Sequence, residues 1–327
     1  MKLTGTLQDV ADAQVRAYFD RHNEEQSSEL YYKDLGLNDY EPDVPAEQMN
    51  DISGPDKGTI TIGGQEYGST GKTRGYPITV TLRKYTFKLT WTEEDVHFIN
   101  KQSSSKRQTT FKDAAVGAVN ALQQNINEDT SKVFYLGFGT TFLNVGNSEA
   151  LYGSHTLRGT GGSQRNDFGS GNTHLALNSG PIVTAIAKMN RFQGHNGIQL
   201  KRIKALKLLV AGEEIANANQ LIVSMYGPKN ALLGESQSSI SALKRRGIFI
   251  EATEVPDIPS AYSTYWFLNS IERARQRAFI AWGWKPRMTR DDRASKGILL
   301  LVGSTYFGPA ILGWQWSFGS KGDGSDI

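Results

Sequence analysis

Thr59-Ile60-Thr61-Ile62-Gly63-Gly64-Gln65-Glu66-Tyr67-Gly68-Ser69-Thr70-Gly71-Lys72-Thr73-Arg74-Gly75-Tyr76-Pro77-Ile78-Thr79-Val80-Thr81-Leu82 is the stretch on which the fold turns. It opens with a short alternating run, passes through a glycine-rich tip and returns as a strand. Alternation of this kind places successive side chains on opposite faces of a sheet. The pattern predicts a long β-hairpin over 58–92. On the return strand the apolar positions are Ile78, Val80 and Leu82, then Tyr85, Phe87, Leu89 and Trp91. The alternation slips by one residue near Arg83-Lys84, so a bulge or bend is expected there. The tip is longer than an ordinary hairpin turn needs, which points to a functional loop.

Outward from the hairpin, residues 110–133 read as one long helix. Phe111, Ala115, Ala118, Leu122 and Ile126 recur at helical spacing, with Thr110 and Asp113 in capping-box positions. A second helix is expected from Ser179-Gly180-Pro181, with Ile182, Ile186, Met189 and Phe192 as its stripe. Residues 201–300 read as an α/β unit: a strand at Leu206–Val210, a helix at Glu213–Tyr226, and strands at Gly247–Glu251 and Tyr265–Leu268. Ile298–Val302 is apolar enough for a buried strand, and Leu312, Trp314, Trp316 and Phe318 alternate as if on a closing strand. Upstream, residues 1–57 read as an extended arm. Its one short helix is expected near Asp9 to Asp20, with Val10, Ala13, Ala17 and Phe19 on one side. Little apolar periodicity follows around Asp39–Pro45, so the arm is expected to become ordered only by lying on something, either its own body or another subunit.

At 327 residues, 38% hydrophobic and 21% charged, the chain is long enough for a sizeable core and too apolar for disorder. It has no cysteine, which excludes disulfides, thiolate metal sites and a cysteine nucleophile. No apolar run approaches membrane-spanning length, and no secretory signal is expected at Met1. The net charge of +3 is unevenly spread. Residues 1–60 carry five basic and thirteen acidic side chains, whereas residues 61–300 carry thirty basic and eighteen acidic ones. An acidic arm beside a basic body suits recognition between copies.

Motifs for catalysis are weak. Gly68-Ser69-Thr70-Gly71-Lys72-Thr73 imitates the end of a phosphate-binding loop, but Glu66 stands where the first glycine belongs. A strand, not a helix, follows. His22, His97, His155, His174 and His195 include no pair at metal-ligand spacing, and Glu93-Glu94 and Asp291-Asp292 suit helix starts or turns. Basic clusters occur at Lys201-Arg202 with Lys204 and Lys207, at Lys244-Arg245-Arg246, and at Arg273, Arg275 and Arg277. The last three alternate and would share one face of a strand, where they could meet phosphate or an acidic neighbour.

The order of parts resembles the HK97-like major capsid proteins of tailed bacteriophages. Several stretches are similar to the Mu-like head-subunit branch: Leu151-Tyr152-Gly153-Ser154-His155, Asn172 with Leu175-Ala176-Leu177-Asn178, Leu208 to Ala216, Val255-Pro256-Asp257-Ile258, and Tyr265-Trp266-Phe267-Leu268. The resemblance implies an α+β capsid fold. Its parts would be an N-arm at 1–57, an E-loop at 58–92, a P-domain at 93–203 with a spine helix near 108–133, an A-domain at 204–297, returning P-domain strands at 298–320 and a tail at 321–327. It implies no catalysis and no cofactor or metal, but self-assembly into pentamers and hexamers of an icosahedral virion shell in the host cytoplasm. Gly64, Gly68, Gly71, Lys72 and Arg74 would be assembly residues at the E-loop tip. Lys244, Arg245, Arg246, Arg273, Arg275 and Arg277 are the candidate charged contacts to a neighbouring subunit or to double-stranded genomic DNA. Scaffold, portal and decoration proteins are the further partners it implies, with no membrane. The alternatives are an encapsulin-type shell holding a cargo protein, a tail or portal component, and a phosphate-binding enzyme using Gly71-Lys72-Thr73.

Overall fold

The protein's structure, a computed structural model, describes residues 3–26, 30–44, 46–55, 72–169, 174–226, 247–290 and 298–322. Its longest element is the expected helix, which runs further than its apolar stripe suggests. Strands and helices are numbered in chain order: α1 is Leu3–Gln26, α2 is Glu93–Lys101 and α3 is Ser104–Tyr135. At 32 residues α3 is about 48 Å long. Phe111, Ala115, Ala118, Leu122 and Ile126 are all buried, as their spacing predicts. The start differs from expectation. Ser103 is the N-cap, and Thr110 lies inside the helix with its hydroxyl donating to the Lys106 carbonyl. A true capping box opens α2 instead: Thr92 Oγ1 accepts from the Asp95 N–H, while the Asp95 carboxylate accepts from the Thr92 N–H.

Beneath α3 lies a four-stranded sheet of β1 (Asn38–Tyr40), β10 (Ala278–Arg290), β11 (Ile298–Ile311) and β4 (Arg83–Thr92), in that order. Tyr85, Phe87, Leu89 and Trp91 of β4 pack towards the helices, and the residues between them are exposed. Register pairs Leu89 with Leu301 and Thr86 with Ser304. The run at 298–302 thus extends to fourteen residues. Strand β10 falls in the stretch expected as one unit at 204–297, yet it pairs with β1 and β11.

The arm departs most from expectation. Helix α1 spans 24 residues and packs on α3, with Ala11, Val15 and Phe19 sharing a core with Phe111, Leu122, Met288 and Leu301. Ala13 and Ala17, expected on the apolar side, are exposed. The i, i+4 ladder of Ala11, Val15 and Phe19 is the face that holds together over two turns. Beyond it, Tyr32, Leu35 and Leu37 enter the main core, and β1 adds to β10 in parallel. As far as β1 the arm is therefore anchored to its own body.

Strands β5 (Ser154–Thr156) and β6 (Ser163–Arg165) form a short antiparallel pair, and a further sheet has the order β12 (Ser317–Ser320), β9 (Trp266–Ser270), β7 (Ala205–Val210), β8 (Phe249–Glu254). Strands β7 and β8 are parallel, and α5 (Ile215–Tyr226) lies in the connection between them. With α4 (Ser179–Met189), this sheet encloses the main core, which includes Phe134, Tyr152, Leu208, Trp266, Phe267 and Trp316. Leu312, Trp314, Trp316 and Phe318 are buried as expected, but only the last lies in a strand, because a turn occupies residues 314–316.

The hairpin is real and its outgoing strand lies earlier than predicted. Strand β2 is Ala46–Pro55 and pairs antiparallel with β3, Lys72–Thr81. The expected strand at Thr59–Ile62 and most of the tip lie outside the described residues. The slip expected near Arg83-Lys84 is a break at Leu82, where the chain changes partner from β2 to β11. The early outgoing strand was hidden because Ala46-Glu47-Gln48-Met49-Asn50-Asp51 is mostly polar, as suits a strand with one open edge.

Candidate assembly surfaces

The hairpin is seated at its base. Arg158 Nη1 donates to the Gly75 carbonyl at 2.8 Å, and the Arg158 guanidinium lies 5.8 Å from the Tyr76 ring centre. Tyr76 meets His195 edge-to-face at 5.8 Å. Two glycines make this approach feasible. A Cβ on Gly308 of β11 would stand 2.4 Å from the Thr81 carbonyl, and one on Gly146, at φ +95°, would meet Tyr76 Cβ at 2.8 Å. Val80 and Leu82 then pack on Ala281 and Ala310, with Met49 of β2 alongside.

β2 has a different environment. Among the described residues it pairs with β3 on one edge only, in a two-stranded sheet, and its register shifts twice, between Asn50 and Ile52 and again before Pro55. Such a ribbon is marginally stable by itself, and an open strand edge is a template for another chain.

Of the tip residues singled out by sequence, Lys72 opens β3 and Arg74 is exposed opposite Ile52. Gly64, Gly68 and Gly71 lie outside the described residues, as do Lys244, Arg245 and Arg246. Residues 72–81 continue as strand, so no helix N-terminus follows Gly71-Lys72-Thr73 to gather phosphate.

The row Arg273, Arg275 and Arg277 requires correction. These residues occupy a single helical turn, Ile271–Ala274, and the bend after it, not a strand, and they share no face. Arg273 and Arg277 are buried while Arg275 is exposed. Arg273 donates to the carbonyls of Met189, Gln315 and Lys201, tying the end of α4 to the C-terminal segment. Burial, followed by repulsion from Arg277, lowers its pKa to about 10. Its role is internal. Lys201, Arg202 and Lys204 are exposed, and Lys207 lies 3.7 Å from Asp34.

The buried histidines hold loops. His155 stacks on Trp314 at 4.5 Å, with Nδ1 at 3.2 Å from Glu149 Oε2 and Nε2 at 3.0 Å from Asn166 Oδ1. Asn166 in turn donates to the carbonyls of Leu151 and Ser317. Burial alone would raise the Glu149 pKa, but hydrogen bonds from His155 and the Thr156 N–H outweigh it and hold the carboxyl below its ordinary 4.5. Among the described residues no group of three or more histidines and carboxylates is placed to hold a metal ion, and no helix is long and apolar enough to cross a membrane.

Sequence reasoning missed one cationic surface. Lys84 and Lys88 alternate with the buried-side aromatics of β4, and Arg287 lies two strands away on the same face. The period-two pattern already contained the signal.

With this geometry defined, the fold is recognisable. The empty GTA particle capsid, computed with C5 symmetry, matches over 89% of this chain and 89% of its own at 10% identity, with a TM-score of 0.50. The capsid of Myoviridae phage XM1 matches over 89% of this chain and 91% of its own (10% identity, TM-score 0.48). The holo-SrpI encapsulin complex from Synechococcus elongatus matches over 90% of this chain and 89% of its own (10% identity, TM-score 0.48). The protein therefore has the HK97-like capsid fold, a mixed α/β architecture of shell-forming proteins. No protein-family model and no curated protein matches the sequence.

Proposed function

We propose that this protein is a major capsid protein, a structural subunit and not an enzyme. It assembles with copies of itself, through pentamers and hexamers, into an icosahedral phage head enclosing double-stranded DNA. The observation that carries this reading is the fold shared with the GTA capsid over nine-tenths of both chains. The open edge of β2 supports it, since that ribbon has unpaired backbone groups for a neighbour to use. So does charge: an acidic first sixty residues beside a basic body steers register between copies more than it adds affinity. The sequence stretches similar to Mu-like head subunits favour that branch in our reading, with assembly in the host cytoplasm and scaffold, portal or decoration proteins as further partners.

In this reading α3 is the spine helix of the P-domain and the β2–β3 hairpin, with its tip, is the E-loop. The β7–β8–β9 unit belongs to the A-domain, and the part of the stretch 1–57 that precedes β2 forms the N-arm. The test is the nuclease-protected content of particles purified from cells expressing the full chain with its phage. Shells holding DNA of genome length are expected. Shells filled with a cargo protein, or tubes and rings in place of shells, would overturn the proposal.

A further inference from the structure

Both ring nitrogens of His155 face acceptors. Nδ1 lies 3.2 Å from Glu149 Oε2, and Nε2 lies 3.0 Å from Asn166 Oδ1. Glu149, held below its ordinary 4.5 by hydrogen bonds that outweigh its burial, is ionised at neutral pH and has no hydrogen to give. The Asn166 amide is oriented by its other partners. Its Nδ2 donates to the carbonyls of Leu151 at 2.8 Å and Ser317 at 3.1 Å, and its Oδ1 accepts from the Gly153 N–H at 3.0 Å. Turned over, the amide would set its oxygen against two carbonyls and its NH2 against an N–H. A neutral imidazole carries one N–H and one lone pair, so either tautomer would press a lone pair against an oxygen. His155 and Asn166 are fully buried, where such a mismatch is costly.

The surroundings suit a cation. The His155 ring stacks on Trp314 at 4.5 Å with 7° between the planes, over the negative face of the indole. Glu149 reaches the ring from a loop in which Asn147 and Ser148 both have left-handed φ, 51° and 58°, a strain kept only where the surroundings impose it. Its other oxygen accepts from the Thr156 N–H at 3.1 Å. Glu149 is the charged group in contact with the ring. Arg165 and Asp167, on either side of Asn166, pair with each other at 2.8 Å, and Lys188 donates to the Asp167 carbonyl.

We propose that His155 is held as the doubly protonated imidazolium at neutral pH, and that loss of one ring proton unlocks the junction of β5, β6 and the turn at 314–316. The inference goes beyond the proposed function and requires nothing of it. Arg158, which seats the ribbon on Gly75, stands two residues beyond β5, so the junction leads directly into that seat. The imidazole of an unfolded chain gives up its second proton near pH about 6.5. The clamp's contribution is therefore full below that pH and is lost as pH rises through the point at which the folded ring deprotonates. On the acid side it ends where Glu149 takes up a proton. Between those limits the junction is closed by a buried ion pair whose remaining hydrogen-bonding positions are satisfied.

The test is a pH titration of the full-length, unassembled chain with nitrogen-15 in its histidine rings, followed by long-range proton–nitrogen correlation spectra. Exposed His97 is the internal reference. At the pH where His97 has lost its second proton, both His155 nitrogens are expected to be still protonated. A bare nitrogen on His155 at that pH overturns the inference. The His155 signals are identified by their loss in His155→Gln or, if that variant does not fold, by the shift that Glu149→Gln produces in the unaltered ring. Hydrogen exchange reads the unlocking. Protection of the amides of Ser154–Thr156, corrected for the intrinsic effect of pH, is expected to fall as the ring deprotonates, while that of Trp266–Ser270 stays level. Level protection at Ser154–Thr156 through that transition also overturns the proposal.

Discussion

The core around Phe134, Phe267 and Trp316 and the β2–β3 ribbon lie in one chain but are stabilised in opposite ways. In the core, rings close on rings: Phe134 meets Phe267 at 5.7 Å and Trp316 at 6.2 Å, and all three are buried. In the ribbon, β3 is held at its base by Arg158, Tyr76 and the close approach to Gly308, while β2 has only β3 for a partner. The body closes on itself, and in the function proposed here the ribbon is completed by a neighbouring copy. The contrast also corrects a simpler picture in which the whole N-terminal third awaits neighbours. Helix α1 and β1 are built into the body, whereas among the described residues the ribbon is a sheet of two strands.

The sharpest way to break this contrast is to empty the core. Trp316→Ala or Phe267→Ala should cost about 3–5 kcal/mol in urea unfolding, the usual penalty for truncating a fully buried aromatic. A loss below about 1 kcal/mol would mean that the core is not where stability lies. Next comes the seat of the ribbon. Gly308→Ala places a methyl against the Thr81 carbonyl and should cost about 1–3 kcal/mol, with shells failing to form. Deleting residues 64–71 should leave the unfolding midpoint of the subunit nearly unchanged and still abolish shells in electron micrographs. Normal shells from that deletion would remove the ribbon's role.

A smaller effect lies at Glu149. Its carboxyl is held below its ordinary 4.5 in the folded chain, so it stabilises the fold above that pH and the contribution disappears as pH falls through the folded value. Glu149→Gln should therefore flatten the acid limb of a stability-against-pH curve, and an unchanged acid limb would contradict the hydrogen-bonded role of this carboxylate. Smallest of all, Arg21→Ala removes an exposed pair with Glu25 and should shift stability by less than about 0.5 kcal/mol.

Period and order were the legible signals in the sequence. The stripe from Phe111 to Ile126, the two-fold alternation of β4 and the slip at Leu82 each depend on local spacing, and the structure keeps all three. Elements whose partners are distant were hidden. Strand β2 is too polar to announce itself, and β10 is broken by a bulge at Gly283–Pro286. The stripe of α1 was misread because its alanines occur on several faces and only α3 decides which of them is buried. Among site residues, the arginine row failed for the same reason. Alternation at 273, 275 and 277 implies a shared face only on a strand, and tertiary context placed a helical turn there.

The most direct measurement is hydrogen exchange of the backbone amides of Ala46–Pro55, compared between free subunits and assembled particles. Rapid exchange along this strand in the free subunit, strong protection in particles and unchanged protection at Trp266–Ser270 in both states are expected. Equal protection of Ala46–Pro55 in the free and assembled forms would contradict the claim that neighbouring copies complete this edge.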